Sequence, residues 1–404
     1  MCIRDSHGAL VVGLTPVAHV AAPAAGAERA LFFVDGPARA GLRLRAWPAR
    51  HERTTDEPWP WGDAAAAASA GEAITPYRGL ATFAAGDADL FFGREREVDE
   101  LVNRLRTTPL VAVVGPSGAG KSSFVLAGVL PVLGTDLTLV MRPGATPLPT
   151  LSARLGAAGL TTDAAALARE PASLGLALRA WARAHGRRVV LVVDQFEETF
   201  TLCLDPVAQD AFAAALHQAA RADDPAVRVV LTVRDDFLIR TAQLTAFRAE
   251  LTARLQLVTT PAAADLRRIL VEPARRAGYA FEDDALVTEM VEQVETRPGA
   301  LALLSFTASR LWQLRDRAFH RLTRAAYRAL GGVGGALAQH AEAVLAEMTP
   351  AQQGVVREIF RHLVTADGTR AVMSRAELLQ VAGGAPAEPV IEALITARLL
   401  QAQE

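Results

Sequence analysis

The chain has 404 residues, with 42 Lys or Arg against 44 Asp or Glu, a formal charge of -2, and 51% hydrophobic and 21% charged residues. Of the cations 41 are Arg and one, Lys121, is Lys, so any lysine chemistry must use that position, and a Lys-rich targeting tract is excluded. The near-neutral balance does not imply nucleic-acid binding, two cysteines, Cys2 and Cys203, make no disulfide framework, and no run reaches the roughly 18 apolar residues of a membrane span.

These features point to a soluble protein of a reducing, cytoplasmic compartment with two or three domains, and the Ala- and Arg-rich usage to a GC-rich bacterial genome. The opening MCIRDS resembles a translated adapter sequence, so residue 1 is expected to be a cut within a longer chain. Residues 8–27, GALVVGLTPVAHVAAPAAGA, superficially resemble a secretory signal, but Pro16, His19 and Pro23 interrupt the apolar stretch and disfavour that reading. ERALFFVDG and GLRLRAW read as two strands of an upstream remnant. From about residue 37 to 71 the chain is Pro-, Trp- and Ala-rich without periodicity and reads as a linker, so residues 1–75 are expected to be remnant plus linker.

Regular elements begin near Tyr77. Val98, Leu101, Val102 and Leu105 share one face of a helix predicted over 94–106. Short apolar runs then alternate with helical stretches: LVAVV at 110–114, LTLVM at 137–141, VVLVV at 189–193, VRVVLTV at 227–233 and RLQLV at 254–258. Continuously apolar strands between helices predict an α/β fold, a parallel sheet with helices on both faces, over residues 76–260. After Pro261 strand signals stop. ADLRRILVEPARRAG, DALVTEMVEQV and ALALLSFTASRLWQLRDRAF have helical spacing and predict a helical segment over 261–330. GGVGG at 331–335 breaks the pattern. TPAQQGVVREIFRHLV, SRAELLQVA and EPVIEALITARLL then form a helical trio, with RLLQAQE starting a strand, which predicts a truncated winged-helix module over 331–404.

GPSGAGKSS at 115–123 lies between strand LVAVV and helix KSSFVLAGVL and fits G-x-x-x-x-G-K-[ST] in the context that motif requires. The loop Gly115, Pro116, Ser117, Gly118, Ala119, Gly120, Lys121, Ser122 and Ser123 is therefore a candidate phosphate site. Its glycines let backbone N–H groups turn around phosphate oxygens at a helix N-terminus. Lys121 is placed to reach the β- and γ-phosphates, and the Ser122 hydroxyl to ligate Mg²⁺. In VVLVVDQFEE an apolar strand ends in Asp194, which puts a carboxylate at the sheet edge where phosphate-bound Mg²⁺ would sit. Glu197 and Glu198 follow within one turn, and either can orient or deprotonate an attacking water. Arg234 ends VRVVLTV and is either a γ-phosphate contact or a surface Arg paired with Asp235 or Asp236. With no second lysine the Asn-Lys-x-Asp guanine reader of Ras-type GTPases is missing, so ATP is favoured over GTP. No H-E-x-x-H or Cys/His cluster indicates zinc.

PYRGLATF, FFGREREVDEL, the P-loop, MRPGATPLPTL, VVDQFEETFTLC, LTVRDDF, VEPARRAGYAFEDDALV, RPGALALLSFTASRLW and LTRAAYRALGGVGGALAQHAE together resemble the novel STAND NTPases, signal-transduction ATPases with numerous domains, from residue 76 to the end. The resemblance implies a P-loop ATPase core with a helical lid and a winged-helix module. It places Phe92, Gly93 and Arg94 near adenine, Lys121 and Ser122 at phosphate and Mg²⁺, Asp194 at Mg²⁺, and Arg234 as sensor. Ala302 stands where the family pattern PGALPLLS has a Pro that packs on adenine. The same resemblance implies a slow ATP switch that binds ATP or ADP and self-associates when active, with C-terminal sensor repeats and an N-terminal effector domain elsewhere in the full protein. A DNA-binding regulator gated by ATP through the winged helix is the alternative; its motive is the Arg-rich stretch at 310–324, and nucleic acid is the less favoured partner.

Overall fold

In the computed structural model the chain is described over residues 75–134, 137–220, 226–248, 251–294, 299–364 and 373–400, and by the backbone alone at 2–4, 10–12, 31–35 and 43–47. The four N-terminal segments, β1 (Cys2–Arg4), β2 (Leu10–Val12), β3 (Leu31–Asp35) and β4 (Arg43–Trp47), neighbour one another in that order. β3 and β4, an antiparallel pair, fall on the two runs read as strands. The rest of residues 8–27, where a secretory signal is disfavoured, and the rest of the expected linker lie outside the described residues.

Two compact units divide the chain: Arg78–Arg276 with Ala280–Ala308, and Met1–Tyr77 with Ala277–Tyr279 and Ser309–Ala402. In the first, β5 (Leu110–Gly115), β6 (Leu137–Met141), β7 (Val189–Val193), β8 (Val227–Arg234) and β9 (Leu255–Leu257) form one sheet in the order β6-β7-β8-β5-β9, parallel throughout. Every residue of β5 and β7 is buried, as strands covered on both faces require. Side chains alternate between two cores. Leu110, Ala112 and Val114 of β5, Leu191 of β7, and Val229 and Leu231 of β8 pack against α4 (Pro147–Ala157), α5 (Ala164–Arg169), α6 (Ala172–His185) and α8 (Pro206–Ala219). Val111, Val113, Val190, Val192 and Val230 pack on the other face against α1 (Glu95–Thr107), whose buried residues are the predicted four, and the helix after the P-loop.

The helix after the P-loop starts as α2 (Lys121–Ser123), passes through a π-helical stretch at Phe124–Val129 and closes as α3 (Leu130–Leu133). Past β7 come α7 (Glu198–Thr201), then α8, and past β8 comes α9 (Leu238–Gln243). The turn between β7 and α7 is pinned by Phe196. Its ring is fully buried, stacked on Phe212 at 6.0 Å and edge-on to Phe200 and Phe247 at 5.9 Å each. Gln195, immediately before it, takes a left-handed φ of 55°, a conformation that costs a non-glycine residue about 1–2 kcal/mol. Burial of the Phe196 ring offsets that cost and sets the direction in which the flanking acids point.

Beyond the sheet α10 (Ala263–Arg276) and α11 (Asp284–Glu292) are helical as predicted, whereas α12 (Ala300–Gln313) ends six residues before the predicted end at 319. Two-residue strand segments at Ala280–Phe281 and Arg321–Leu322 interrupt a region read as wholly helical. GGVGG is likewise not a break throughout. α13 (Arg324–Ala329) ends just before it, Gly331 turns the chain with a φ of 71°, and α14 (Gly332–Ala346) begins inside it. Gly335 is required there because a Cβ would come within 2.5 Å of the Leu330 carbonyl oxygen. The C-terminal trio is α15 (Pro350–Leu363), α16 (Arg375–Val381) and α17 (Glu388–Thr396), joined by Ile359, Phe360, Val390, Ile391 and Leu394. Capping boxes at Thr349 and Ser374 start the first two, each satisfying helix N-terminal donors. The expected strand start in RLLQAQE runs into 401–404, outside the described residues. Among the described residues no helix is long and apolar enough to cross a membrane.

Removing the Phe196 ring leaves a cavity in the larger core, and Phe196→Ala is expected to lower unfolding stability by about 3–5 kcal/mol. Urea denaturation followed by far-UV circular dichroism measures it; a loss below about 1 kcal/mol would contradict the packing described.

Candidate functional site

Strand order builds the site. β8 lies between β5 and β7, so the P-loop at the end of β5 and Asp194 at the end of β7 sit two strands apart with Thr232 of β8 between them. Within the P-loop, Gly118 and Gly120 have left-handed φ values of 80° and 85°, which a side chain would strain. Gly115 serves differently from its expected part in turning the loop. Its φ is not left-handed, and a Cβ there would collide with the Val258 carbonyl oxygen, held close by the 2.8 Å bond from Val258 N to the Val114 carbonyl. Lys121 is 9% exposed and its Nζ donates to the carbonyls of Gly115 at 2.8 Å and Pro116 at 3.0 Å. Desolvation pulls the Lys121 ammonium below its ordinary range, against the opposing fields of Glu197 and Asp235.

Asp194 is the hub. Its Oδ1 accepts from the Ser122 hydroxyl at 2.6 Å and from the Thr232 hydroxyl at 2.7 Å, and its Oδ2 faces Arg142 Nε at 3.5 Å. Thr232 Oγ1 in turn accepts from Gln195 N at 2.8 Å. The two acids that follow point to different places. Glu197 Oε2 accepts from the backbone N of Arg234 at 3.3 Å and lies in the field of Lys121; burial raises its carboxyl above the ordinary range. Glu198 turns to the other side, where Gly144 N donates to its Oε2 at 3.1 Å, and burial pushes it up to about 7.

Arg234 is held at its own strand end, its guanidinium donating to both oxygens of Asp236 at 3.1 and 2.5 Å. That is the surface pairing foreseen as the alternative to a phosphate contact. Arg94 is 3% exposed and donates to the carbonyls of Ala119 at 2.9 Å and Thr259 at 2.6 Å, so its side chain braces the P-loop from behind. Gly93, with a φ of 78°, lets the turn pass α10, since a Cβ would lie 2.8 Å from the Asp265 carbonyl oxygen and from Ile269. Phe92 is half-buried beside it. Ser123 Oγ accepts from Phe83 N at 3.1 Å, which ties the segment before the core to the loop. Ser117 and Ala119 complete the loop, Ala119 donating its N–H back to the Pro116 carbonyl at 3.2 Å. The start of α12 stands over the glycines: a Cβ on Gly118 would be 3.2 Å from Gly299 Cα, and one on Gly120 3.4 Å from Leu301 Cδ1.

The donor set fits a hard divalent cation, because a buried carboxylate and a serine hydroxyl converge at the mouth of a loop built for phosphate. Among the described residues no cluster of three or more His, Cys, Asp or Glu is arranged to hold a metal by itself. Sequence reasoning missed Thr232, Arg142 and the bracing role of Arg94. A signal for Thr232 existed, since it is the one polar residue in the stretch Val229–Val233 of β8.

The structure is similar to the Walker-type ATPase PABY2304 of Pyrococcus abyssi, at 17% identity over 78% of this chain and 91% of that one, with a TM-score of 0.43. It is similar to the Aeropyrum pernix ORC1 protein in complex with DNA, at 16% identity, 78% and 86% coverage and a TM-score of 0.42. The Aeropyrum pernix ORC2 protein with ADPNP and ADP follows at 14% identity, 77% and 87% coverage and a TM-score of 0.43. No curated protein matches the chain. The family model for novel STAND NTPase 1 matches residues 76–404. With its P-loop between β5 and α2 and its acidic strand end two strands away, the chain belongs to the novel STAND NTPase 1 family of P-loop NTPases.

Proposed function

We propose that the chain binds ATP with Mg²⁺ at the P-loop and hydrolyses it slowly, as the nucleotide switch of a larger cytoplasmic signalling protein. The Ser122–Asp194 bond carries the reading: a P-loop hydroxyl and a strand-end carboxylate 2.6 Å apart are the pair that holds phosphate-bound Mg²⁺. When bound, the cation supplies Lewis-acid stabilisation of charge on the phosphates. The chain's own residues do the rest. Lys121 binds phosphate, the loop N–H groups and the start of α12 surround it, and Glu197, beside Lys121 and bonded to the Arg234 N–H, orients the attacking water. Glu198 braces the loop after β6 instead. ATP is favoured because Lys121 is the only lysine, which leaves none for the Asn-Lys-x-Asp guanine reader of Ras-type GTPases.

The proposed organisation is a core over 76–260, a lid over 261–330 and a winged-helix module over 331–404. In this reading nucleotide state shifts the balance between arrangements of these parts and favours self-association, with sensor repeats and an effector domain beyond this stretch. The DNA-binding alternative draws on the arginines at 310–324. Arg315, however, lies over Trp312 at 4.4 Å, and Arg310 donates to His340 at 2.9 Å, so these two serve packing within their own unit.

Lys121→Ala is expected to abolish ATP binding in equilibrium titration with a fluorescent nucleotide; tight binding by the variant would remove Lys121 from the site. Glu197→Gln is expected to retain ATP while slowing hydrolysis by about 10²–10⁴-fold, the range for a lost general base, and Glu198→Gln to keep most of the rate. The reverse ranking in a phosphate-release assay would exchange their roles.

The raised carboxyl of Glu198 also makes stability depend on pH. Because the folded protein holds that proton more tightly than the unfolded chain, its contribution is complete below about pH 4.5 and is lost as pH rises to about 7. Glu198→Gln is expected to flatten stability across that window and to be the more stable protein at pH 8, as read from urea midpoints. Parallel pH profiles for the two proteins would refute the assignment.

A further inference from the structure

The segment Arg142–Gly144 follows β6 and lies outside the P-loop, yet it and the residue before it touch the acidic strand end three times. Asp194 N donates to the Met141 carbonyl at 2.8 Å, Arg142 Nε stands 3.5 Å from Asp194 Oδ2, and Gly144 N donates to Glu198 Oε2 at 3.1 Å. Gly144 takes a left-handed φ of 61° at this turn. The Asp194 carboxylate is therefore divided: Oδ1 is taken by the Ser122 and Thr232 hydroxyls, and Oδ2 faces a guanidinium. The pair is unequal, since the Asp194 side chain is 5% exposed and that of Arg142 33%. A contact at that distance between a partly solvated arginine and a carboxylate is weaker than a bidentate fork. A divalent cation on the same buried carboxylate has the stronger attraction.

We propose that Arg142 is the counter-ion of Asp194 in the nucleotide-free protein and competes with Mg²⁺ for it, so that it sets the Mg²⁺ concentration at which nucleotide is retained. Arg142 is thus a positioning residue that acts through Asp194. Because Gly144, two residues on, holds Glu198, displacement of the guanidinium is felt by the loop that bears both contacts. The proposal rests on the reading of the P-loop as an ATP–Mg²⁺ site.

The test is an equilibrium titration of Mg²⁺ against the full chain with a fluorescent non-hydrolysable ATP analogue. Arg142→Met and Arg142→Gln, each checked for folding by circular dichroism, are expected to lower the Mg²⁺ midpoint by about three- to ten-fold, the scale of a lost ion pair with one buried partner. Arg142→Lys, which keeps the charge, is expected to restore most of the wild-type midpoint. An arginine that only braces the fold would leave the midpoint in place, and one that orients Asp194 for the metal would raise it on removal; either result overturns the proposal while leaving the ATP–Mg²⁺ reading intact. Absence of Mg²⁺-dependent binding in the wild-type protein would overturn both.

Discussion

The site depends on one carboxylate oxygen. Asp194 Oδ1 accepts two hydroxyls, one from Ser122 of the P-loop and one from Thr232 of β8, the middle strand of the three that converge there. That oxygen ties the ends of β5, β8 and β7 into one rigid edge. A buried carboxylate without such donors would carry a heavy desolvation cost. With them, the charge is kept where a cation and phosphates would need it, and the surrounding groups are ordered around it.

Much of the remaining architecture serves that edge. The Phe196 ring is locked among three other aromatic rings and holds a turn whose preceding residue is in the left-handed region. That geometry sends Glu197 toward the P-loop and Glu198 toward the loop after β6. Two neighbouring acids of the same type thereby acquire different surroundings, which is how one short segment can supply groups with separate roles.

The P-loop is supported from outside its own sequence as well. Arg94 donates to a loop carbonyl and to one beyond β9, and the segment around Phe83 reaches Ser123. The glycines of the loop are required for two distinct reasons. Gly118 and Gly120 turn the backbone, while Gly115 admits the Val258 carbonyl so that β9 can pair at the sheet edge. A side chain at any of the three would be resisted, but by torsional strain in two cases and by steric overlap in the third.

The sequence by itself determined the elements whose signal is local. The apolar runs at 110–114, 137–141, 189–193 and 227–233 became strands within one residue of their expected ends, and at 110–114 and 189–193 burial on both faces demands the continuous apolar side chains that mark them. The P-loop and Asp194 were legible for the same reason, as a short motif and a charge at a strand end. Only the tertiary structure decided what depends on strand order. Placing β8 between β5 and β7 put Thr232 on Asp194, brought Arg234 N to Glu197 and left Glu198 to Gly144. Those partners are 37 to 54 residues apart in the chain, and no local pattern encodes which strand will lie beside which.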